Sequence, residues 1–288
     1  MSRDMSGKVC LVTGATDGHG KALAHALAAR GAELVIHGRS RKKIRVVQAE
    51  IAEANAGKAP EIFLADFSSG AEIDAAVEAY VATGRPLHLL VNNAGLVGLS
   101  RRTNEEGIEL TLAVNYLAQF RLTLGLLPIL IRSGPARIVN ISSDTYRVAS
   151  LHFDDLQLEK NYNLLKAYGQ SKLAILYFTI ELAKRIAGQG VIVNAVDPGP
   201  ISSNIGADNP GFAYRLARPM IRYLFPSAAR AARTAMLVAT SPELAKISGG
   251  YFRSMKQRKK LLDFDPESSL RLWQESLKLC GMDNDPLG

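Results

Sequence analysis

Val9-Cys10-Leu11-Val12-Thr13-Gly14-Ala15-Thr16-Asp17-Gly18-His19-Gly20-Lys21-Ala22-Leu23-Ala24-His25-Ala26-Leu27 is the stretch that settles the fold class. Four apolar residues run into a glycine-rich turn, and the turn runs into a segment with apolar residues at helical spacing. The order is strand, turn, amphipathic helix. Gly14, Gly18 and Gly20 let the backbone turn tightly, approach a ligand closely and pack the helix on the sheet. The unpaired N–H groups at the helix start favour an anion such as a diphosphate. This is the pattern of a dinucleotide-binding unit, and it assigns Gly14, Thr16, Asp17, Gly18, His19 and Gly20 to the cofactor turn. His19 stays open between capping the helix, facing a diphosphate and lying in the loop as a partly exposed imidazole.

Outward from that unit the chain alternates. Strands are expected at 33–37, 61–65, 87–91, 137–141 and 191–196, and helices at 42–54, 71–82, 104–130 and 167–187. Strands too apolar to face water imply a mostly parallel sheet covered by helices on both faces, with ligands at the strand C-terminal ends. No internal repeat or proline-rich linker divides the chain, so residues 1–288 read as a single α/β domain with a helical extension at about 255–288.

Composition agrees. The 288 residues are 47% hydrophobic and 22% charged, enough for one large core. The net charge of +8 raises nucleic acid or an anionic surface as partners. The basic residues are scattered apart from 39–45 and 256–260, and no aromatic residues interleave them, so no nucleic acid is expected. Cys10 and Cys280 give neither a disulfide framework nor a metal cluster; the expectation is a reducing, cytoplasmic setting and no metal. No uninterrupted run nears the ~18 apolar residues that span a bilayer, so a soluble protein without a transmembrane segment is expected.

The chemistry is expected at Tyr168-Gly169-Gln170-Ser171-Lys172, where a phenol and an ammonium four residues apart share a helix face. A neighbouring cation favours the phenolate, which should bring the phenol from its usual pKa of ~10 toward neutrality and make it a general acid or base. At the end of the second strand, His37-Gly38-Arg39-Ser40 carries no acidic residue. Arg39 suits a ribose 2′-phosphate, so NADP(H) is preferred, with NAD(H) as the alternative. Arg41, Lys42 and Lys43 read as a solvated first helical turn.

T-G-x-x-x-G-x-G, Asn92-Asn93-Ala94-Gly95 and Tyr168-x-x-x-Lys172, in that order, resemble the short-chain dehydrogenase/reductase family over about residues 8–252. The resemblance implies a Rossmann-type doubly wound parallel sheet and hydride transfer between a nicotinamide and a carbonyl or alcohol. It puts Asp66 at the adenine edge, and Asn93 with Ala94 and Gly95 on the adenosine side. Pro198, Gly199, Ile201 and Ser203 fall in the segment that holds the carboxamide, with Ser203 replacing the usual threonine. Asp17 and His19 depart from the polar or basic and then apolar residues of relatives.

The same resemblance makes Asn115, Ser143, Tyr168 and Lys172 the catalytic set. Ser143 would bond the substrate oxygen, Tyr168 exchange its proton, Lys172 grip the ribose, and Asn115 hold a water that links the lysine to solvent. The long separation of Ser143 from Tyr168, and the segment 152–163 within it, resemble the branch of retinol dehydrogenases and carbonyl reductases that act on lipophilic substrates. Specificity would lie in loops at 96–102, 147–163 and about 200–226, the last an aromatic-bearing lid. The expected function is an NADP(H)-linked oxidoreductase for a mid-sized lipophilic carbonyl or alcohol. The alternatives are a cofactor-binding regulatory or scaffold protein, and a surface enzyme touching lipid through residues 258–264. A homodimer is left open.

Overall fold

The strand that opens the glycine turn, β1 (Val9–Val12), is buried along its whole length in the computed structural model, which describes residues 4–199, 227–258 and 264–288. Ile201, Ser203, the whole of the expected lid at 200–226 and part of the basic segment at 258–264 lie outside the described residues. β1 pairs in parallel with β2 (Glu33–Gly38) on one side and β4 (Leu89–Asn92) on the other. β3 (Glu61–Leu64) flanks β2, while β5 (Ala136–Ile141) and β6 (Val191–Asp197) extend the sheet beyond β4. The order is β3-β2-β1-β4-β5-β6-β7-β8. Growth reverses between β3 and β4, so the connections leaving β1 and β4 part and open a crevice at the strand ends.

β7 (Tyr251–Arg253) runs parallel to β6, and β8 (Lys256–Gln257) turns back antiparallel. Sequence reading expected six strands. These last two are only three and two residues long, too short to show a period.

Alternation along β1 divides the core. Val9 and Leu11 join the apolar cluster on one face of the sheet, while Cys10 and Val12 join the cluster on the other. The second face is covered by α1 (Gly18–Ala29), α2 (Arg41–Ala54) and, after the undescribed stretch, α7 (Ala228–Thr240), through Leu23, Leu27, Ile44 and Val238. The first is covered by α3 (Gly70–Ala82), α4 (Leu110–Leu112), α5 (Ala118–Ser133), α6 (Leu164–Arg185) and α8 (Pro266–Leu279). There Phe120, Phe178 and Trp273 interlock with ring centroids 5.1 to 6.0 Å apart. Each fully buried ring contributes on the order of 2–3 kcal/mol. Trp273 therefore fastens the C-terminal helix to the fold.

The helix expected over 104–130 begins later. Asn104 Oδ1 accepts the Ile108 N–H, Gly107 takes a φ of +78°, and the Glu109 carboxylate caps Thr111 and Leu112. Between α4 and α5, Ala113–Leu117 form a π-helical turn. The stretch Leu110–Ser133 is long and apolar enough to cross a membrane by length and composition alone, yet 72% of that window is buried inside the domain. It is a core helix.

Candidate active site

Thr13 joins the first and fourth strand ends. Its hydroxyl accepts the backbone N–H groups of Asn93 and Ala94 at 2.8 and 2.9 Å, while Asn93 Nδ2 donates to Thr13 O at 2.8 Å. The glycine turn then fits with no room for side chains. A Cβ at Gly14 would come within 2.9 Å of Ala94 Cα, and one at Gly20 would collide with the Gly14 carbonyl. Gly14 and Gly18 take φ of +62° and +52°, which glycine adopts without strain. Thr16 packs its methyl against Gly38, where a Cβ would stand 2.6 Å away.

Asp17 caps α1, its carboxylate accepting the Gly18 N–H at 2.7 Å. His19 is buried rather than partly exposed, with Nδ1 2.7 Å from Asn93 Oδ1 and the backbone of Ala231 beside it. Burial, with a smaller push from the Lys172 charge, lowers its pKa.

Sequence reading missed His37. The only early cue is a polar residue closing the apolar run Leu34-Val35-Ile36. Its Nδ1 accepts the Gly14 N–H at 3.0 Å, and its Nε2 lies 3.1 Å from Ala65 O. That pair of contacts fixes the neutral tautomer with the proton on Nε2. The ring stacks on Phe67 with centroids 3.8 Å apart. Burial pushes its pKa down to about 4. The imidazole thus braces the glycine turn against the end of β3.

Arg39 stands exposed just past β2. Asp66 follows β3, where its Oδ1 accepts from the Ser68 N–H and hydroxyl at 2.9 and 2.8 Å.

Ser143 ends the turn after β5 and caps the short 3-10 segment Asp144–Val148. Tyr168, one turn into α6, hydrogen-bonds the Ser143 side chain. Asn163 starts that helix by accepting the N–H groups of Leu165 and Lys166. Four residues after the tyrosine, Lys172 Nζ donates to Ile141 O at 3.0 Å and lies 5.5 Å from the Tyr168 ring centroid. A Cβ on Gly95 would stand 3.8 Å from the same ammonium. The three side chains and the Asn93-Ala94-Gly95 turn therefore converge at the ends of β4 and β5.

One electrostatic expectation is corrected. Burial raises the Tyr168 pKa above the ordinary tyrosine value; the Ser143 hydrogen bond opposes the rise and the Asp197 charge adds to it. Burial brings Lys172 down to about 8, with Asp197 opposing.

Asn115 sits in the π turn, and its amide bonds through both the oxygen and the nitrogen. Oδ1 accepts the Leu96 N–H at 2.7 Å, and Nδ2 donates to Leu96 O at 2.9 Å and to Ser171 Oγ at 3.1 Å. It clamps the loop after β4 to the helix that carries Tyr168. Pro198 and Gly199 follow β6, with Gly199 at φ +78° and nothing among the described residues within 4 Å of where a Cβ would be. The loop after the 3-10 segment is tied down by Gln170, which accepts from His152 N–H at 2.9 Å and donates to Leu156 O at 2.8 Å.

A doubly wound sheet whose switch point carries this glycine turn, with serine, tyrosine and lysine meeting beside it, leaves little latitude in classification. The family model for short chain dehydrogenases matches residues 8–210, and the chain belongs to the short-chain dehydrogenase/reductase family of oxidoreductases. Within it the chain falls in the retinol-dehydrogenase-like branch. Polyprenol dehydrogenase of Homo sapiens is 35% identical, the match covering 96% of this chain and 86% of that protein. Retinol dehydrogenase 12 of Mus musculus is 36% identical over 96% of this chain and 87% of its own. Among solved structures, a short chain dehydrogenase from Burkholderia cenocepacia in complex with NADP has a TM-score of 0.68 at 27% identity, covering 87% of this chain and 97% of that one. An uncharacterized protein from Mycobacterium Paratuberculosis has a TM-score of 0.73 at 22% identity, covering 98% and 97%, a likeness of fold alone.

Proposed function

We propose that this protein is a cytoplasmic NADP(H)-dependent oxidoreductase that interconverts a carbonyl and an alcohol on a mid-sized lipophilic small molecule. The observation that carries the reading is the convergence of Ser143, Tyr168 and Lys172 beside the Asn93-Ala94-Gly95 turn. The residues fit a dinucleotide. Gly14, Gly18 and Gly20 put no side chain of their own on the turn, the start of α1 presents backbone N–H groups, and among the described residues nothing lies within 4 Å of a Cβ placed on Gly199. Gly14, Thr16, Asp17, Gly18, His19 and Gly20 would border the diphosphate, Arg39 and Asp66 the adenosine end, and Pro198 and Gly199 the nicotinamide end. Arg39, with no carboxylate at its position, favours the 2′-phosphate form. Bound nicotinamide supplies a hydride donor or acceptor.

The chain's own residues manage the oxygen. Ser143 Oγ and Tyr168 Oη are two preplaced donors for an oxygen that gains negative charge during reduction, together worth roughly 3–4 kcal/mol in the manner of an oxyanion hole. Tyr168 gives its proton to that oxygen in reduction and takes it back in oxidation. Lys172, charged below about pH 8, stabilises the phenolate that results. Asn115 holds the loop that floors the site. Lipophilic substrates suit the names of the relatives and the exposed apolar Leu99 in the loop after β4, Val148 at the end of the 3-10 segment and Leu165 in the first turn of α6.

A panel of aldehydes and ketones that includes a retinal and a polyprenal, assayed with NADPH and with NADH, tests the reading. Reduction with NADPH preference is expected, and Tyr168→Phe should cut turnover about 1000-fold with NADP+ affinity within a few-fold. Full turnover in that variant would refute the assignment.

A further inference from the structure

Arg253 closes β7, and the parallel register sets it directly beside Asp197 at the end of β6. Its guanidinium is divided between two carboxylates. Nε lies 3.2 Å from Asp197 Oδ2, while Nη1 bonds Asp144 Oδ2. Each carboxylate is also committed on its other side. Asp197 Oδ1 accepts the Gly199 N–H at 2.7 Å, and Asp144 Oδ1 accepts the Tyr251 hydroxyl at 3.0 Å.

The positions of the two acids give the bridge its meaning. Asp144 is the residue after Ser143, and Asp197 is the residue before Pro198. β6 lies between β5 and β7, so the arginine at the end of β7 reaches past the end of β6 to join the turns that leave β5 and β6. A planar fork can bond two separate carboxylates at once, whereas a lysine ammonium presents a single point charge. Asp197 is 3% exposed and has its ion pair with Arg253 at 3.2 Å, whereas Asp144 also pairs with Arg147 Nε at 3.4 Å, so removing the Arg253 cation would cost most at the buried Asp197.

Resting on the oxidoreductase reading above, we propose that Arg253 is a positioning residue: it fixes the separation between the Ser143 turn and the Pro198-Gly199 turn, and with it the placement of the substrate oxygen against the nicotinamide. Asp144 transmits that constraint to the serine side, and Asp197 transmits it to the dinucleotide side.

The test compares Arg253→Lys, Asp144→Asn and Asp197→Asn in the full chain. NADPH affinity is read from its fluorescence, turnover from the best panel substrate, and melting temperature from circular dichroism. Arg253→Lys keeps a charge between the acids, so melting should move only a few degrees, while Kd rises and kcat falls by about tenfold or more each. Asp144→Asn should lower kcat more than it weakens NADPH binding, and Asp197→Asn the reverse. An Arg253→Lys protein with parental Kd and kcat, or two Asn variants that change both constants in the same proportion, would overturn the inference. Parental turnover is the separate control. Tight NADPH binding with no panel member reduced removes the oxidoreductase reading, and this inference with it. Normal parental turnover beside an unaffected lysine variant removes this inference alone.

Discussion

Replacing His37 with glutamine should make the protein less sensitive to acid. The imidazole is held neutral between the Gly14 N–H and Ala65 O, with a folded pKa of about 4 against an ordinary 6.5. Between those values the unfolded chain binds a proton that the folded chain refuses, so stability rises with pH across this window. It is lost as pH falls below 6.5, and the loss is complete near 4. A gap of that width corresponds to about 3 kcal/mol in full and about 2 kcal/mol at pH 5. Glutamine can still accept from Gly14 and donate toward Ala65 but does not titrate. Urea unfolding of both proteins at pH 7.5 and pH 5.0 gives the difference of differences, and other acid-sensitive groups, His19 among them, cancel. The parent should lose about 2 kcal/mol more than His37→Gln between the two pH values. Equal losses would show that His37 is not the buried neutral group described, and that the glycine turn is braced by something else.

Two further outcomes follow from the same physics. Lys172→Met should stabilise the fold at pH 7 by about 1–3 kcal/mol in urea unfolding while removing nearly all turnover. A lysine held down to about 8 by burial carries a desolvation cost below that pH, and the cost fades as pH rises from 8 toward the ordinary lysine value. A less stable methionine variant would contradict the cost. Arg39→Glu should weaken NADPH binding by about 10-fold to 100-fold and leave NADH binding equal or improved in fluorescence titration, because the carboxylate repels a 2′-phosphate and accepts from a 2′-hydroxyl. Unchanged NADPH affinity would exclude Arg39 from the cofactor site.

How far the sequence goes can be seen residue by residue. The glycine turn and the apolar strands announce themselves because each depends on a local pattern, and β1, β5 and β6 fall within a residue of expectation. Gly107 and Asn104 could have shortened the long helix, since they build the turn before it, but their effect depends on a hydrogen bond that spacing alone does not display. The π turn has no composition cue. Tyr168 and Lys172 were legible as a pair, and their titration was not: four-residue spacing reports a nearby cation, whereas burial of both groups decides the direction. His37 and Arg253 act across strand ends brought together only by the sheet, so neither stands out in the chain.

The π turn at Ala113–Leu117 also places a constraint on how this chain can change. A π turn holds one residue more than an α-helical turn, so deleting one residue there would restore a regular helix and leave Phe120 facing Phe178 and Trp273. The loss would fall on Asn115, which bonds Leu96 from within that turn. A deletion elsewhere in this helix would instead rotate its downstream face by about 100° and break the aromatic contacts. Length changes are therefore tolerated by the packing of the C-terminal helix at the π turn alone, and there they give up the clamp on the loop beside the tyrosine.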